Sequence, residues 1–432
     1  MRVIEASALA GTEGAAVTEL RVGVVGVGQR ALVATLANRP GAARVVSCAD
    51  PDPRGQQDAR RLFGPGIAVH QSYEGMQDDG LDAVFVLTPD YLHAAPALWF
   101  LRAGVAVFVD KPLAITAEDC DAVLAQAAQS RSRLYVGHNL RHLPTLRTMR
   151  ELVQSGAIGQ VQSVWCRHFV GHGGDYYFKD WHAERSKTTS LLLQKGSHDL
   201  DAIHWLGGGY SRSVVGLGAL MVYGGIPHRR AEGEGAAGRR MPDWFDPAAW
   251  PPSASRDLNP VIDVEDLSMV LARLDNGVLV SYQQCHFTPD YWRNYTVIGD
   301  EGRLENFGDG LDGDPATVKV WNQRRSGYRR DADLTIPVAT PSDGLHGGAD
   351  EALVTEFLRF AAKGGPTETS PVAAREAVAA GIAATTSLRD GGRPVEVPAV
   401  PPAIAEYFEA HQTIPASDEN QNTRSTHVLH DG

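Results

Sequence analysis

Residues 21–31 read RVGVVGVGQRA, an apolar run that ends in a pair of glycines at Gly26 and Gly28. A buried strand that turns sharply into a helix has this pattern, because Gly26 can take the backbone through the turn and Gly28 lets it approach a ligand closely. The free amides at the start of the new helix would then face an anion. The pattern predicts a turn that holds the pyrophosphate of a dinucleotide. The predicted contacts are Gly26, Gly28, Gln29 and Arg30.

A second apolar run, RVVSC at residues 44–48, leads to Asp50. A carboxylate roughly 20 residues beyond such a turn can accept hydrogen bonds from a ribose. It would also repel a 2'-phosphate, so Asp50 favours NAD as the cofactor. Arg54 lies close enough along the chain to bind that phosphate, which keeps NADP possible.

Composition limits the classes of partner. The chain has 432 residues, is 43% hydrophobic and carries a formal net charge of −12. An acidic excess disfavours nucleic acid and anionic membrane surfaces as partners, which leaves small molecules. The four cysteines are far apart, no spacing of histidines or cysteines predicts a metal, and no signal peptide or run of about 18 apolar residues is evident. We therefore expect a cytoplasmic enzyme of two or three domains.

The hydrophobic pattern predicts an α/β fold. Between residues 21 and 137, short β-branched runs alternate with helical stretches at 29–39, 52–63, 91–103 and 116–130, which indicates a parallel sheet covered by helices. Beyond residue 160, strand-like runs recur without long helices between them, and Asp275, Asn276 and Gly277 form a hairpin turn signal. A large, mostly antiparallel sheet should therefore follow. The predicted divisions are an N-terminal extension (1–20), a Rossmann domain (21–140), a substrate and oligomerisation domain (141–400) with a surface insertion (224–260), and a partly disordered C-terminal segment (401–432).

Three further motifs follow in order. Thr88-Pro89-Asp90-Tyr91-Leu92-His93 ends one strand, Val109-Asp110-Lys111-Pro112 ends the next, and Lys195-Gly196-Ser197-His198 opens a helical run. In this order and spacing the chain resembles the Gfo/Idh/MocA family, named after glucose-fructose oxidoreductase, inositol dehydrogenase and a rhizopine catabolism protein, from about Arg21 to Arg389. The resemblance implies NAD- or NADP-dependent oxidation or reduction of sugars, polyols or cyclitols. It also implies a homo-oligomer, a dimer or tetramer, formed through the open C-terminal sheet.

Lys111 and His198 are the predicted catalytic residues. The family motif is usually Glu-Lys-Pro, and its lysine, here Lys111, contacts both the nicotinamide and the substrate hydroxyl; Asp110 replaces the usual glutamate. Independently, the end of a parallel strand is where α/β sheets bind ligands. Pro112 is a candidate for a cis peptide bond. His198 is the candidate general base, because imidazole titrates near neutral pH.

The resemblance also marks residues around His198. The family often has an aspartate four residues earlier, where this chain has Gln194, which can bind a substrate hydroxyl but cannot take a proton. Asp201 shares the helix face of His198 and could orient its ring or bind substrate, whereas Asp199 points elsewhere. Arg141 matches a frequently basic family position, although a structural arginine between domains is an equal reading.

The remaining predicted contacts fall into two groups. Thr88, Pro89, His93 and Asp110 are expected to join Lys111 at the cofactor, with helix capping as the alternative for His93. Trp181, His182 and Arg185 lie in the polar aromatic stretch before the catalytic helix and are expected to line the substrate pocket.

Two other functions remain compatible with the residues. The same scaffold can hold NAD tightly and cleave a glycosidic bond through a transient ketone, with no net redox change. A non-catalytic cofactor-binding protein is the third possibility, because a fold alone does not establish activity.

Overall fold

The computed structural model describes residues 19–171, 174–232, 250–308, 314–339 and 345–413. The predicted extension at residues 1–18 and the end of the chain beyond residue 413 lie outside these ranges, as do residues 233–249 of the predicted insertion. Within them the chain forms two sheets, as the sequence pattern predicts. The first sheet has six strands and the second has nine.

The first sheet is a fully parallel Rossmann sheet with the strand order β3-β2-β1-β4-β5-β6. Its strands are β1 (Leu20–Val25), β2 (Ala43–Ala49), β3 (Ala68–His70), β4 (Ala83–Val86), β5 (Ala106–Asp110) and β6 (Leu134–Gly137). The connecting helices are α1 (Ala31–Thr35), α2 (Pro53–Phe63), α3 (Ala94–Arg102) and α4 (Ala117–Ser130). The sequence pattern misses β3, because three half-buried residues carry too little apolar periodicity. It also overestimates α1, which has five residues.

The second sheet has the order β14-β13-β12-β11-β7-β10-β9-β8-β15, and only the β7–β10 pair is parallel. Its strands are β7 (Val161–Val170), β8 (Ser211–Ala219), β9 (Leu267–Leu274), β10 (Leu279–Cys285), β11 (Tyr291–Gly299), β12 (Arg303–Phe307), β13 (Thr317–Trp321), β14 (Leu334–Pro337) and β15 (Val395–Glu396). Gly277, with φ +89°, completes the predicted hairpin turn between β9 and β10.

Seven further helices complete the described fold: α5 (Pro144–Gln154), α6 (Arg185–Thr188), α7 (Leu191–Gln194), α8 (Gly196–Gly207), α9 (Ala349–Lys363), α10 (Pro371–Arg389) and α11 (Pro402–Glu409). The predicted helical run before residue 208 is thus split at Lys195 into α7 and α8. None of the helices in the described ranges is long and apolar enough to cross a membrane.

The predicted division at residue 140 does not separate the two cores. Phe357 and Phe360 of α9 pack into the core under the first sheet, beside Phe85 and Phe108. Helix α10 contributes Val378 to a core of the first sheet and small residues such as Ala380 to that of the second. Because α10 packs on both cores, it joins the two sheets, and we call the space between them the cleft.

The ends of the predicted surface insertion are packed against the body of the protein. Ile226 and Leu258 join a small buried cluster with Phe178 and Leu191. Arg230 donates hydrogen bonds to the carbonyl oxygens of Lys179 and Asp257. These ends therefore support the aromatic stretch that precedes α7.

Candidate active site

The glycine turn follows β1, as predicted. Gly26 has φ +88°, and a Cβ there would lie 2.8–2.9 Å from the backbone of Leu87 and Thr88, so this position accepts only glycine. A Cβ at Gly28 would meet no atom within 4 Å. The open space beside Gly28 fits the close approach that a pyrophosphate requires.

Asp50 lies beside this turn. Its Oδ2 accepts a hydrogen bond from the backbone N–H of Val27 at 2.8 Å, and its Oδ1 accepts one from that of Asp52. Arg54, the residue that could have favoured NADP, pairs with Asp52 at 2.7 Å. The carboxylate of Asp50 therefore lies against the glycine turn, and the Arg54 side chain pairs with Asp52.

Arg30 and Asp110, both predicted to contact the cofactor, bind each other. The Nε of Arg30 lies 2.8 Å from Oδ2 of Asp110, and its Nη1 lies 3.0 Å from Oδ2 of Asp350 at the start of α9. Burial opposes the positive charge, but the two carboxylates together raise the pKa of Arg30. This ion-pair network joins the glycine turn to α9, a long-range contact that local sequence does not reveal.

The Thr88-Pro89 segment, also predicted to bind cofactor, lies against Gly26. His93 braces it. The two ring nitrogens of His93 lie 2.7 Å from the carbonyl oxygen of Pro112 and 2.9 Å from that of Thr88. Its ring therefore links the ends of β4 and β5.

Lys111 lies at the end of β5, and the Lys111–Pro112 peptide is cis. Its Nζ donates a 2.9 Å hydrogen bond to the carbonyl oxygen of Gln194, the last residue of α7. Burial lowers the pKa of Lys111 to about 8. The side chain thus reaches across the cleft to the segment that leads into α8.

Asp90 is a site residue that the sequence prediction missed. It is buried, it interacts electrostatically with Lys111, and the Gln194 amide faces its carboxyl group. Its Oδ2 has no hydrogen-bond partner among the described residues. Burial raises the pKa of Asp90 to about 8. The chain therefore has an acid beside Gln194, although position 194 itself carries none.

His198 lies in the first turn of α8 and faces the same cleft. Burial, followed by the positive charges of Lys111 and Arg293, holds the pKa of His198 well below its usual value. Its Nδ1 is buried without a partner among the described residues, and its ring lies 6.4 Å from that of His138. A neutral imidazole in this position can accept a proton.

Arg141 and Asp201, both predicted to contact the substrate, bind each other. The two side chains form a buried bidentate pair, with Nε–Oδ2 at 2.8 Å and Nη2–Oδ1 at 2.7 Å. Arg141 also donates to the carbonyl oxygen of Glu368. Asp201 contacts His138 at 3.5 Å and makes no hydrogen bond to His198. The two charged groups therefore pair with each other, as expected if Arg141 is a structural arginine between the domains.

The aromatic stretch lies over the cleft. His182 is buried, and burial followed by the charges of Lys111 and Lys195 lowers its pKa to about 3. Trp181 stacks on His182 with ring centroids 3.7 Å apart. Arg185 points away instead: its side chain is 45% exposed and pairs with Glu265. Of the three predicted pocket residues, His182 and Trp181 are thus brought to the cleft and Arg185 is not.

The same stretch contributes two tyrosines that the prediction did not select. The hydroxyl of Tyr176 lies 3.4 Å from Oε1 of Gln29, next to the glycine turn. The ring of Tyr177 packs against that of His182 at 5.4 Å. Their signal in the sequence was only their position in an irregular aromatic segment.

Two cations complete the site. Arg293 of β11 reaches Oδ1 of Asp199 at 3.0 Å, and Lys195 lies between α7 and α8 with its Nζ 5.5 Å from the ring centre of Tyr177. The positive charges of both residues lower the pKa of His198. Asp199 indeed points away from the cleft face, but it holds Arg293. Within the described ranges, no three His, Cys, Asp or Glu side chains are grouped as metal ligands would be.

Comparisons with known proteins agree with this arrangement. Residues 20–138 match the model of an oxidoreductase family with an NAD-binding Rossmann fold, and residues 146–305 match a Gfo/Idh/MocA C-terminal domain. The YteT protein of Bacillus subtilis is 25% identical over 355 residues, which are 73% of this chain and 82% of YteT. Inositol 2-dehydrogenase 1 of Saccharopolyspora erythraea is 32% identical over 191 residues, 43% of this chain and 54% of that protein, so this match spans about half of the relative.

Among solved structures, levoglucosan dehydrogenase in complex with NADH and levoglucosan superimposes with a TM-score of 0.70 at 20% identity, over 88% of this chain and all of that one (100%). At this identity the likeness shows the fold. The two family models together with the Rossmann turn and the open antiparallel sheet show that the chain belongs to the Gfo/Idh/MocA family of NAD-binding oxidoreductases.

Proposed function

We propose that this chain is an NAD-dependent dehydrogenase that oxidises a secondary alcohol of a sugar, cyclitol or related polyol. The observation that carries the proposal is the meeting of Lys111 and His198 in one cleft beside the glycine turn. The inositol 2-dehydrogenase relative supports the substrate class.

The chemistry divides between cofactor and protein. When bound, NAD supplies the acceptor for the hydride that leaves the carbinol carbon. The neutral imidazole of His198 takes the hydroxyl proton, and the ammonium of Lys111 donates a hydrogen bond to the same oxygen as it becomes a carbonyl. Gly26, Gly28 and Asp50 would hold the pyrophosphate and ribose.

Lys111→Met and His198→Gln test this assignment, with Lys319→Met on the distant strand β13 as the control. Each variant should bind NADH like the wild type, measured by NADH fluorescence. Turnover of a panel of aldoses, polyols and cyclitols, followed by NADH absorbance, should fall by about 100-fold or more in the two site variants. Unchanged turnover in Lys111→Met would refute the role of the lysine.

The assay also separates the other two functions. Cleavage of a glycoside without net NADH formation would favour hydrolysis through a transient ketone. Binding of NADH with neither binding nor conversion of any sugar or polyol would favour a non-catalytic protein.

We also propose that a second copy of the chain covers the outer face of the nine-stranded sheet. Neighbouring strands there carry large apolar side chains that are 46–60% exposed. They are Trp165, Leu217, Met269, Leu271 and Leu279. Contiguous exposed apolar surface of this kind marks a protein interface.

A further inference from the structure

Lys195 is half-buried and forms no ion pair with a carboxylate of the described residues, and burial, followed by the charges of Arg293 and Lys111, holds its pKa well below the usual value. The residue lies between the short helix α7 and α8, and its Nζ lies 5.5 Å from the ring centre of Tyr177. Withdrawing an ammonium from water without pairing it is costly. Such a group is retained where a ligand supplies the missing charge.

Arg293 offers a second unused donor in the same place. Its Nε faces Asp199, but its Nη2 is buried and makes no hydrogen bond to any described residue. Asp199 cannot also serve Lys195 as an acceptor, because its oxygens already accept hydrogen bonds from His168, Tyr282 and Tyr295.

The charges of the cleft do not cancel. Arg293 pairs with Asp199, whereas Lys111 faces the carboxyl group of Asp90, which is mostly protonated near neutral pH because burial raises its pKa to about 8. The two histidines that face the cleft, His182 and His198, add no charge near neutral pH, because burial lowers the pKa of each. The described residues therefore supply no carboxylate that pairs with Lys195, and a carboxylate bound beside it would raise its pKa again.

We propose that the substrate of this enzyme carries a carboxylate group, which Lys195 and the free Nη2 of Arg293 bind while Lys111 and His198 act on a hydroxyl group of the same molecule. The substrate class is then a sugar acid or a carboxylated cyclitol. A carboxylate matches one ammonium group and the donor edge of a guanidinium, whereas a phosphate would bring about 1.5–2 negative charges. This inference rests on the proposed function.

Matched probes test the proposal on the wild-type enzyme first. Binding of glucose, glucuronate and glucose 6-phosphate to the NADH complex is measured by calorimetry, with galactose and galacturonate as a second pair and myo-inositol as a neutral cyclitol. Turnover of the same compounds is followed by NADH formation from NAD. We expect the uronates to bind at least about tenfold more tightly than their neutral partners.

The variant Lys195→Met then removes the charge and keeps the aliphatic stem. We expect it to lose most of the preference for uronates, on the order of tenfold or more, while its affinity for the neutral sugars changes less than about threefold. Lys319→Met, which removes an equal charge far from the cleft, should keep the wild-type preference. The melting temperature of each variant shows whether it is folded, and the wild-type comparison stands without either variant.

The possible failures are distinguishable. Oxidation of neutral alcohols without any preference for uronates overturns the carboxylate site and leaves the proposed function intact. A preference for glucose 6-phosphate over glucuronate overturns the choice of carboxylate. If no probe binds or is oxidised, the proposed function itself fails, and this inference fails with it.

Discussion

The ammonium group of Lys111 donates a 2.9 Å hydrogen bond to the carbonyl oxygen of Gln194, which lies four residues before His198. This bond joins the end of a Rossmann strand to the start of the helix that carries the candidate base. The two sheets therefore meet where the cofactor and the substrate are proposed to react. Asp90 lies beside both ends of the bond.

The rate should depend on pH through Lys111. Because burial lowers the pKa of Lys111 to about 8, its ammonium is present at pH 7 and is lost as pH rises through that value. His198 has a pKa lowered well below its usual value, so it stays neutral over the same range. We expect kcat/KM to be level near pH 7 and to fall above about pH 8, which initial rates in buffers of constant ionic strength would reveal.

Asp90→Asn should change the pH above which kcat/KM falls. The negative charge of Asp90 favours the protonated form of Lys111, so its removal lowers the pKa of the lysine further. The pH above which the rate falls should therefore shift to a lower value. Asp52→Asn, which removes a carboxylate that pairs with Arg54, is the control. If kcat/KM of Asp90→Asn falls above the same pH as that of the wild type, the titration of Lys111 does not cause the fall.

Gly28→Val should abolish cofactor binding without unfolding the protein. No atom lies within 4 Å of the position that its Cβ would take, so the new side chain would fill the space proposed for the pyrophosphate. NADH binding should weaken by about tenfold or more, while the melting temperature stays unchanged. Gly66→Val, at another open glycine outside the turn, is the matched control. Normal NADH affinity in Gly28→Val would place the cofactor elsewhere.

Asp201→Asn should lower the free energy of unfolding. The substitution leaves the guanidinium of Arg141 buried without its partner, which costs about 3–5 kcal/mol of unfolding free energy. Burial opposes the charge, but Arg141 holds the pKa of Asp201 below its usual value. The stability that Asp201 contributes is therefore full near pH 7 and is lost as pH falls below about 4.

Urea unfolding of the wild type and Asp201→Asn at two pH values measures this difference. A large rise in KM with unchanged unfolding free energy would instead restore the substrate-binding role that the sequence predicted for Asp201.

Leu271→Lys should break the proposed oligomer. The Leu271 side chain is 60% exposed on the outer face of β9, and a lysine there would introduce a repelling charge at the centre of an apolar interface. Light scattering should report a smaller assembly than that of the wild type. Lys319→Met, on β13 away from this patch, should leave the mass unchanged. A wild-type protein that is already monomeric would contradict the interface.

Local sequence was sufficient wherever a short segment dictates its own conformation. The glycine turn requires a positive φ at Gly26, and Asp50 follows from the length of one β-α-β unit. The order of strands and helices followed from hydrophobic periodicity. Lys111 and His198 could be selected because each ends or opens an element that points at the cleft, and the resemblance to a family supplied their roles.

Tertiary structure decided which charged groups meet, because those partners are far apart in the chain. Arg141 finds Asp201, and Arg30 finds Asp350, across 60 and 320 residues. Asp90 and Lys195 lie within the quoted motifs but were not selected, and only folding shows that one lies beside Lys111 and that the other has no ion-pair partner among the described residues. Periodicity reports which face of an element is buried, but the energy of a buried charge depends on what the rest of the chain places against it.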